Sequence, residues 1–186
     1  LFQHYETIAE SVSIPIVLYN VPGRTSVNIE PATVRRLAQI ENIVGVKEAS
    51  GNISQIGAIC SQAAERFCVI SGDDAVTLPA MALGARGVIS VVSNEVPAEM
   101  TKLAQLCLAG KFDEARVLHR KLLPLMEVNF AESNPIPVKA AMAMMGLVAP
   151  VWRLPLCPPR PETTEKIRGV LESLGLAGSK HAARVN

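Results

Sequence analysis

The sequence predicts an α/β fold built on parallel strands, either an open sheet or a barrel. Four apolar runs of strand length begin near residues 14, 43, 67 and 87, and each precedes a stretch suited to a helix. The run at 43–49 is apolar rather than alternating, which is typical of a strand buried on both faces. With 186 residues, of which 49% are hydrophobic, the chain can build one domain with a sizeable core.

The composition argues against several classes of function. A net charge of +1 gives no electrostatic case for binding nucleic acid or an anionic membrane. The chain has no apolar run of about 18 residues, so we expect no membrane span. Its four cysteines form no C-x-x-C pair and its three histidines are scattered. We therefore expect neither a metal site nor a cofactor. Because the cysteines suggest no disulfide framework, we also expect a reducing compartment, the cytoplasm.

The elements follow one another in a regular order. The predicted strands are 14–20, 43–49, 67–71 and 87–92, and residues 21–25 form a turn-rich loop after the first of them. The predicted helices are 2–11, 31–40, 53–65, a short one ending at Leu83, 97–109, 112–131, 137–145 and 162–174. Four prolines make 152–161 a loop, and the tail at 177–186 is predicted to be disordered.

The C-terminal ends of the predicted strands gather polar side chains. In α/β barrels the working face lies at these ends. The residues there are Tyr19, Asn20 and Arg24; Lys47 and Glu48; Gly72, Asp73 and Asp74; and Ile89, Ser90 and Ser93. The sequence therefore predicts that a phenol, a guanidinium and an amine converge on one rim.

Lys47 is the most informative of these residues. It stands in the apolar run Ile43–Gly51, so we expect an amine carried into an apolar interior. Burial lowers the pKa of a lysine, and a free amine attacks carbonyls to form a Schiff base. The structural alternative is that Lys47 pairs with Glu48 or another carboxylate and only stabilises the fold.

Five segments of the chain together resemble the dihydrodipicolinate synthase family. The resemblance extends from residue 1 to about residue 176, with the order and spacing of the segments preserved. The segments are Tyr19–Thr25 (YNVPGRT), Gly45–Asn52 (GVKEASGN), Ser71–Ala75 (SGDDA), Gly87–Val91 (GVISV) and Asn134–Lys139 (NPIPVK).

The resemblance implies a (β/α)8 TIM barrel with a helical C-terminal extension. On this view residues 1–110 are strands five to eight with their helices, residues 111–176 are the extension, and strands one to four are missing from the start. It also implies a homotetramer. The family's lysine feedback site, and a threonine and a tyrosine of its proton relay, would lie in the missing half.

The resemblance also implies a lyase of lysine and diaminopimelate biosynthesis. Lys47 would form a Schiff base with pyruvate, and the resulting enamine would attack L-aspartate-4-semialdehyde to give 4-hydroxy-tetrahydrodipicolinate. Tyr19 would donate and accept protons, and Arg24 would hold the carboxylate of the semialdehyde. Gly72 and Ile89 would contact pyruvate through backbone groups.

Each of these roles has a structural, non-catalytic alternative. Tyr19 could serve only a structural hydrogen bond, Arg24 a salt bridge between loops, and Asp74 a cap for the following helix. Lys139 is expected at the surface or in packing. For the whole chain, the alternatives are another pyruvate aldolase, such as N-acetylneuraminate lyase, and a non-catalytic half-barrel.

Overall fold

The computed structural model describes residues 1–177, which contain three strands and nine α-helices. The strands are β1 (Ile16–Asn20), β2 (Ile43–Glu48) and β3 (Cys68–Ser71). The helices are α1 (Phe2–Ser11), α2 (Pro22–Thr25), α3 (Pro31–Leu37), α4 (Ile53–Cys60), α5 (Thr77–Ala82), α6 (Pro97–Leu108), α7 (Phe112–Val128), α8 (Ile136–Met144) and α9 (Pro161–Ser173). Apart from residue 177, the predicted disordered tail lies outside the described residues.

The described chain divides into two units. The first comprises residues 1–90 and 104–115, and the second comprises residues 91–103 and the described residues from 116 onward. None of the helices described is both long enough and apolar enough to cross a membrane.

A parallel sheet in the order β1–β2–β3 forms the centre of the first unit. Each strand is followed by a helix, as expected for parallel strands, which need crossover connections. The strands pack closely at Gly45, where a Cβ would lie 2.5 Å from the carbonyl oxygen of Cys68. A side chain at this position would force β2 and β3 apart. The predicted parallel α/β arrangement is confirmed for these three strands.

The two faces of the sheet differ in burial. On one face Leu18, Val46 and Val69 are at most 3% exposed. On the other face Val17 and Tyr19 are 44% and 46% exposed. The sequence predicts burial on both faces only for β2, whose residues are all buried or half-buried, so the second face is open at β1 rather than at β2. An apolar run shows that side chains avoid water, but it does not show which element covers them.

The predicted fourth strand at 87–92 does not form as a strand. Only Val88 makes a parallel bridge, to Ser71, between two backbone hydrogen bonds of 2.9 Å. The chain then turns into a 3-10 helix at Val92–Asn94. Because β3 is only four residues long, it offers few backbone groups for a longer pairing.

Two further elements differ from the prediction. The turn-rich loop after β1 contains a single helical turn, α2, which starts with Pro22 and ends at Thr25, and its C-cap Ser26 has the left-handed conformation. Helix α4 ends at Cys60 rather than near residue 65. The chain turns early there and places Phe67 in the core, 3% exposed, ahead of β3.

The second unit is helical in the part that is described. Helices α8 and α9 contact each other, and α9 buries Ile167 and Leu171, which lie four residues apart on one helix face. The side chain of Asn129 donates a hydrogen bond of 2.6 Å to the carboxylate of Glu95 within the same unit. Residues 150–160 form neither helix nor strand, as their prolines predict.

Candidate active site

Tyr19 and Lys47 meet on the partly open face of the sheet. They are register partners on β1 and β2, and side chains at paired positions of adjacent strands point to the same face. The Nζ atom of Lys47 lies 4.2 Å from the centroid of the Tyr19 ring. A cation over a ring at this distance is attracted by about 0.5–1 kcal/mol at exposed sites. The structure therefore brings together the amine and the phenol that the sequence singles out.

Lys47 is half-buried rather than enclosed. The expectation of an amine carried into an apolar interior is met only in part, because the face that carries Lys47 is partly open. What distinguishes Lys47 in this structure is its position beside Tyr19.

Of the structural alternatives for Lys47, the pairing with Glu48 is wrong. Neighbouring residues of a strand point to opposite faces, and Glu48 is 1% exposed on the buried side of the sheet. Its carboxylate accepts hydrogen bonds from Asn20, Ser50 and Gln55 instead.

Gly72 lies directly against Lys47. A Cβ at Gly72 would lie 2.6 Å from the Cβ of Ala49 and 3.1 Å from the Cε of Lys47. Its backbone N–H donates a hydrogen bond of 2.7 Å to the carbonyl oxygen of Glu48. The lack of a side chain at this position leaves room for the lysine stem.

Ile89 stands beside the end of β3. Its backbone N–H donates a hydrogen bond of 2.9 Å to the carbonyl oxygen of Ser71, and its side chain is 47% exposed. Since β3 pairs with β2, Ile89 lies at the same end of the sheet as Lys47 and Gly72.

Arg24 lies on α2, in the segment that follows β1, and its side chain is exposed. Its backbone N–H donates to the carbonyl oxygen of Val21, which closes the helical turn. This segment begins at the C-terminal end of β1, where the rim of polar side chains is predicted.

The other charged residues that the sequence singles out are Asp73 and Asp74 at the rim and Lys139 on α8. The N-cap of helix α5 is Val76, which makes no side-chain capping hydrogen bond, and the interpretation of Asp74 as a cap for this helix stays a prediction. Asp73 accepts a hydrogen bond of 2.9 Å from the backbone N–H of Ala75, and Asp74 is 1% exposed. Lys139 is half-buried on α8. Among the described residues, no group of three or more His, Cys, Asp or Glu side chains could hold a metal ion.

Sequence reasoning missed a buried polar network behind the Tyr19–Lys47 pair. It consists of Asn20, Asn28, Glu48 and Gln55, joined by side-chain hydrogen bonds of 2.8–3.1 Å. Its members come from four places in the chain, up to 35 residues apart. The one available signal was the alternation of faces, which sends Asn20 and Glu48 to the side opposite Tyr19 and Lys47.

Comparison with known proteins places these residues in a family. The model of the dihydrodipicolinate synthetase family matches residues 1–174 of the chain. The chain belongs to this family. A 4-hydroxy-tetrahydrodipicolinate synthase of Koribacter versatilis is 50% identical over 175 residues, which cover 94% of this chain and 58% of that protein.

Solved structures of the dihydrodipicolinate synthase family have a similar fold. The crystal structure of the synthase from Aquifex aeolicus superposes with a TM-score of 0.91 at 46% identity, covering 95% of this chain and 60% of that one. The chloride-inhibited synthase from Acinetobacter baumannii, complexed with pyruvate, gives a TM-score of 0.91 at 42% identity, covering 94% and 60%. The chain thus spans about three-fifths of the length of the relatives it matches.

Proposed function

We propose that this chain carries the Schiff-base chemistry of a 4-hydroxy-tetrahydrodipicolinate synthase. The observation that carries the proposal is the pairing of Lys47 with Tyr19, in a chain 50% identical to a relative of that name. The substrates are pyruvate and L-aspartate-4-semialdehyde, and the enzyme is a lyase.

The reaction begins at the lysine amine. Nζ of Lys47 adds to the ketone carbon of pyruvate to form a carbinolamine, and loss of water gives an imine. Loss of a proton from the methyl group of pyruvate then converts the imine into an enamine. The enamine carbon forms a bond to the aldehyde carbon of the semialdehyde, whose oxygen takes up a proton.

Release of the product restores the enzyme. The amino group of the former semialdehyde attacks the imine carbon and displaces Nζ of Lys47, which closes the ring of 4-hydroxy-tetrahydrodipicolinate. Pyruvate and the semialdehyde lose one water molecule in the overall reaction. Tyr19, whose ring lies against Nζ, is the proposed proton donor and acceptor for these steps.

The other site residues have supporting roles in this proposal. Arg24 binds the carboxylate of the semialdehyde, because a guanidinium can donate two parallel hydrogen bonds to it. Gly72 and Ile89 present backbone groups to bound pyruvate. The exposed position of Arg24 and the contact of Gly72 with the lysine stem support these roles.

The proposal extends to the architecture. We assign β1, β2, β3 and the Val88 segment to strands five to eight of a (β/α)8 barrel, with residues 111–176 as a helical extension. The partly open face that carries Tyr19 and Lys47 would then face the interior of the completed barrel, which elsewhere is filled by side chains. The homotetramer and the cytoplasmic location are also part of this proposal.

A condensation assay tests the function. Purified chain is given pyruvate and the semialdehyde, and product is measured for the wild type, Tyr19→Phe and Arg24→Lys. We expect Tyr19→Phe to lower kcat by about 10²-fold, the usual contribution of a general acid–base group. Arg24→Lys should mainly raise the KM for the semialdehyde, because an ammonium group cannot replace bidentate binding.

Two results would contradict the proposal. Cleavage of sialic acid without condensation would favour an N-acetylneuraminate lyase. Absence of turnover by the folded chain, followed by recovery when the first half of a family barrel is added, would favour the non-catalytic half-barrel, for which the open sheet face is the structural argument.

A further inference from the structure

A buried pair of polar residues lies on the opposite side of the sheet from the proposed catalytic pair. Glu48 is 1% and Asn20 0% exposed, and the two are register partners on β2 and β1. Tyr19 and Lys47 form the adjacent register pair. The two pairs are therefore one residue apart and point to opposite faces.

Glu48 determines the direction of the hydrogen bonds in this network. An ionised carboxylate only accepts hydrogen bonds. Its Oε2 accepts from the side-chain amides of Asn20 and Gln55 at 2.8 and 3.0 Å, and its Oε1 accepts from the backbone N–H of Ser50 at 2.7 Å. Both amides must therefore turn their NH₂ groups towards Glu48.

Asn20, oriented in this way, closes the segment that carries Arg24. With its NH₂ directed at Glu48, its Oδ1 accepts a hydrogen bond of 2.9 Å from the backbone N–H of Ile29. The same NH₂ also donates to Oδ1 of Asn28 at 2.9 Å. Both contacts tie the far end of the segment to the end of β1, with Arg24 between them.

Gln55 connects the network to the following helix. Its Oε1 accepts a hydrogen bond of 2.8 Å from Asn28, and its backbone N–H donates to the N-cap side chain of Asn52. Ser50 and Asn52 belong to the segment after β2. One buried carboxylate thus holds the segments that follow both strands.

We propose that Glu48, through Asn20 and Asn28, positions residues 21–29 and with them Arg24 relative to the Tyr19–Lys47 pair. Glu48 contacts neither Tyr19 nor Lys47 through its side-chain hydrogen bonds, so it is a positioning residue and not a catalytic one. The kinetic part of this inference rests on the proposed function, whereas the structural part does not.

The substitution Glu48→Gln tests the directional argument with a minimal change of shape. Whichever way the new amide points, its NH₂ group meets at least one donor, either Ser50 N–H or the amides of Asn20 and Gln55. The matched control is Glu65→Gln, the same chemical change at an exposed position. Asn28→Ala is a milder second variant, at a half-buried position, should Glu48→Gln fail to fold.

Amide hydrogen exchange measured by NMR is the first readout. We expect the amides of Ile29 and Ser50 to exchange about tenfold faster in Glu48→Gln, since each loses a hydrogen bond or a fixed acceptor. In Asn28→Ala we expect faster exchange at Ile29. The amide of Val46 in β2 should be unchanged in both variants, and Glu65→Gln should match the wild type at every position.

Unchanged exchange at Ile29 in both variants would overturn the proposal. Equal acceleration at Val46 and Ile29 would also overturn it, because that result means loss of overall stability instead of local release. These outcomes do not depend on any activity of the chain.

Steady-state kinetics provide the second readout. In Glu48→Gln we expect the KM for the semialdehyde to rise about tenfold or more, as misplacement of a binding group does, with a smaller change in the KM for pyruvate. An equal rise in the KM for the semialdehyde and the KM for pyruvate would contradict a role through Arg24. If the wild type forms no product at all, the proposed function fails while the exchange data still decide the positioning role.

Discussion

At the scale of single residues, the site depends on Lys47 and equally on the lack of a side chain at Gly72. A Cβ at Gly72 would lie 2.6 Å from the Cβ of Ala49, a distance that real Cβ atoms essentially never show. It would also lie 3.1 Å from the Cε of Lys47. Any side chain at position 72 must therefore displace Ala49, the lysine stem, or both.

Gly72→Ala should impair both the site and the fold. We expect a destabilisation of about 1–3 kcal/mol from overpacking, and a loss of Schiff-base formation by about tenfold or more because the lysine stem moves. Chemical denaturation and the rate of adduct formation with pyruvate measure the two effects.

Gly169→Ala is the control, because a Cβ there meets nothing within 4 Å and the position is an exposed one on α9. It should stabilise the helix by about 0.5–1 kcal/mol and leave adduct formation unchanged. Wild-type adduct formation in Gly72→Ala would show that the close approach of Gly72 to Lys47 is irrelevant to the chemistry.

The cysteines offer a second prediction at this scale. Burial raises the pKa of the Cys60 and Cys107 thiols, whereas Cys157 is exposed. Because the thiolate is the reactive form, iodoacetamide at neutral pH should label Cys157 well before Cys60 and Cys107. Peptide mass spectrometry over a time course measures the order, and labelling of Cys107 at the rate of Cys157 would contradict the burial described for it.

At the scale of elements, the strands show why some of the structure was predictable from sequence. The apolar runs located β1, β2 and β3 to within two residues, because each lies in a stretch that avoids water on at least one side. The segment at 87–92 has the same composition but pairs only at Val88. Composition predicts that a segment suits a strand, and pairing depends on its neighbour.

The site was predictable to a similar degree. The resemblance singled out Tyr19 and Lys47, and the parallel register then brings them side by side. The network around Glu48 could not be predicted, because its hydrogen bonds join residues 27 and 28 positions apart, and a sequence does not show such pairings. The partial exposure of Lys47 was missed for the same reason: a run of residues does not show what covers it.

Helix α9 gives a prediction for pH. Hydrogen bonds to Glu132, from the Thr163 side chain and the Arg160 backbone, lower the pKa of its carboxyl below the usual value of about 4.3. A lowered pKa in the folded state contributes stability above the unfolded pKa, and this contribution is lost as the pH falls through the folded pKa. Arg160 is the N-cap of α9, so the start of this helix should loosen in acid.

Glu132→Gln tests this contribution. We expect the variant to be less stable than the wild type at neutral pH, and the difference to shrink as the pH falls below about 4. Urea denaturation at several pH values measures this difference, with Glu172→Gln, at an exposed position on α9, as the control. A difference that stays constant between neutral and acidic pH would contradict the role of the charge.

At the scale of the whole molecule, the chain belongs to the dihydrodipicolinate synthetase family. It spans about three-fifths of the length of the relatives that it matches. The side of the sheet that carries Tyr19 and Lys47 is the side that is partly open. We expect Lys47 to form a Schiff base on this chain, because its position beside Tyr19 is fixed by the register of two paired strands.

The most direct test is to trap that Schiff base on the full chain. The folded protein is incubated with pyruvate, reduced with borohydride and digested, and each lysine peptide is analysed by mass spectrometry. We expect one pyruvate-derived adduct, at Lys47, which is absent from Lys47→Arg. A folded chain that leaves Lys47 unmodified, or that labels its other lysines equally, would rule out the proposed Schiff-base role of Lys47.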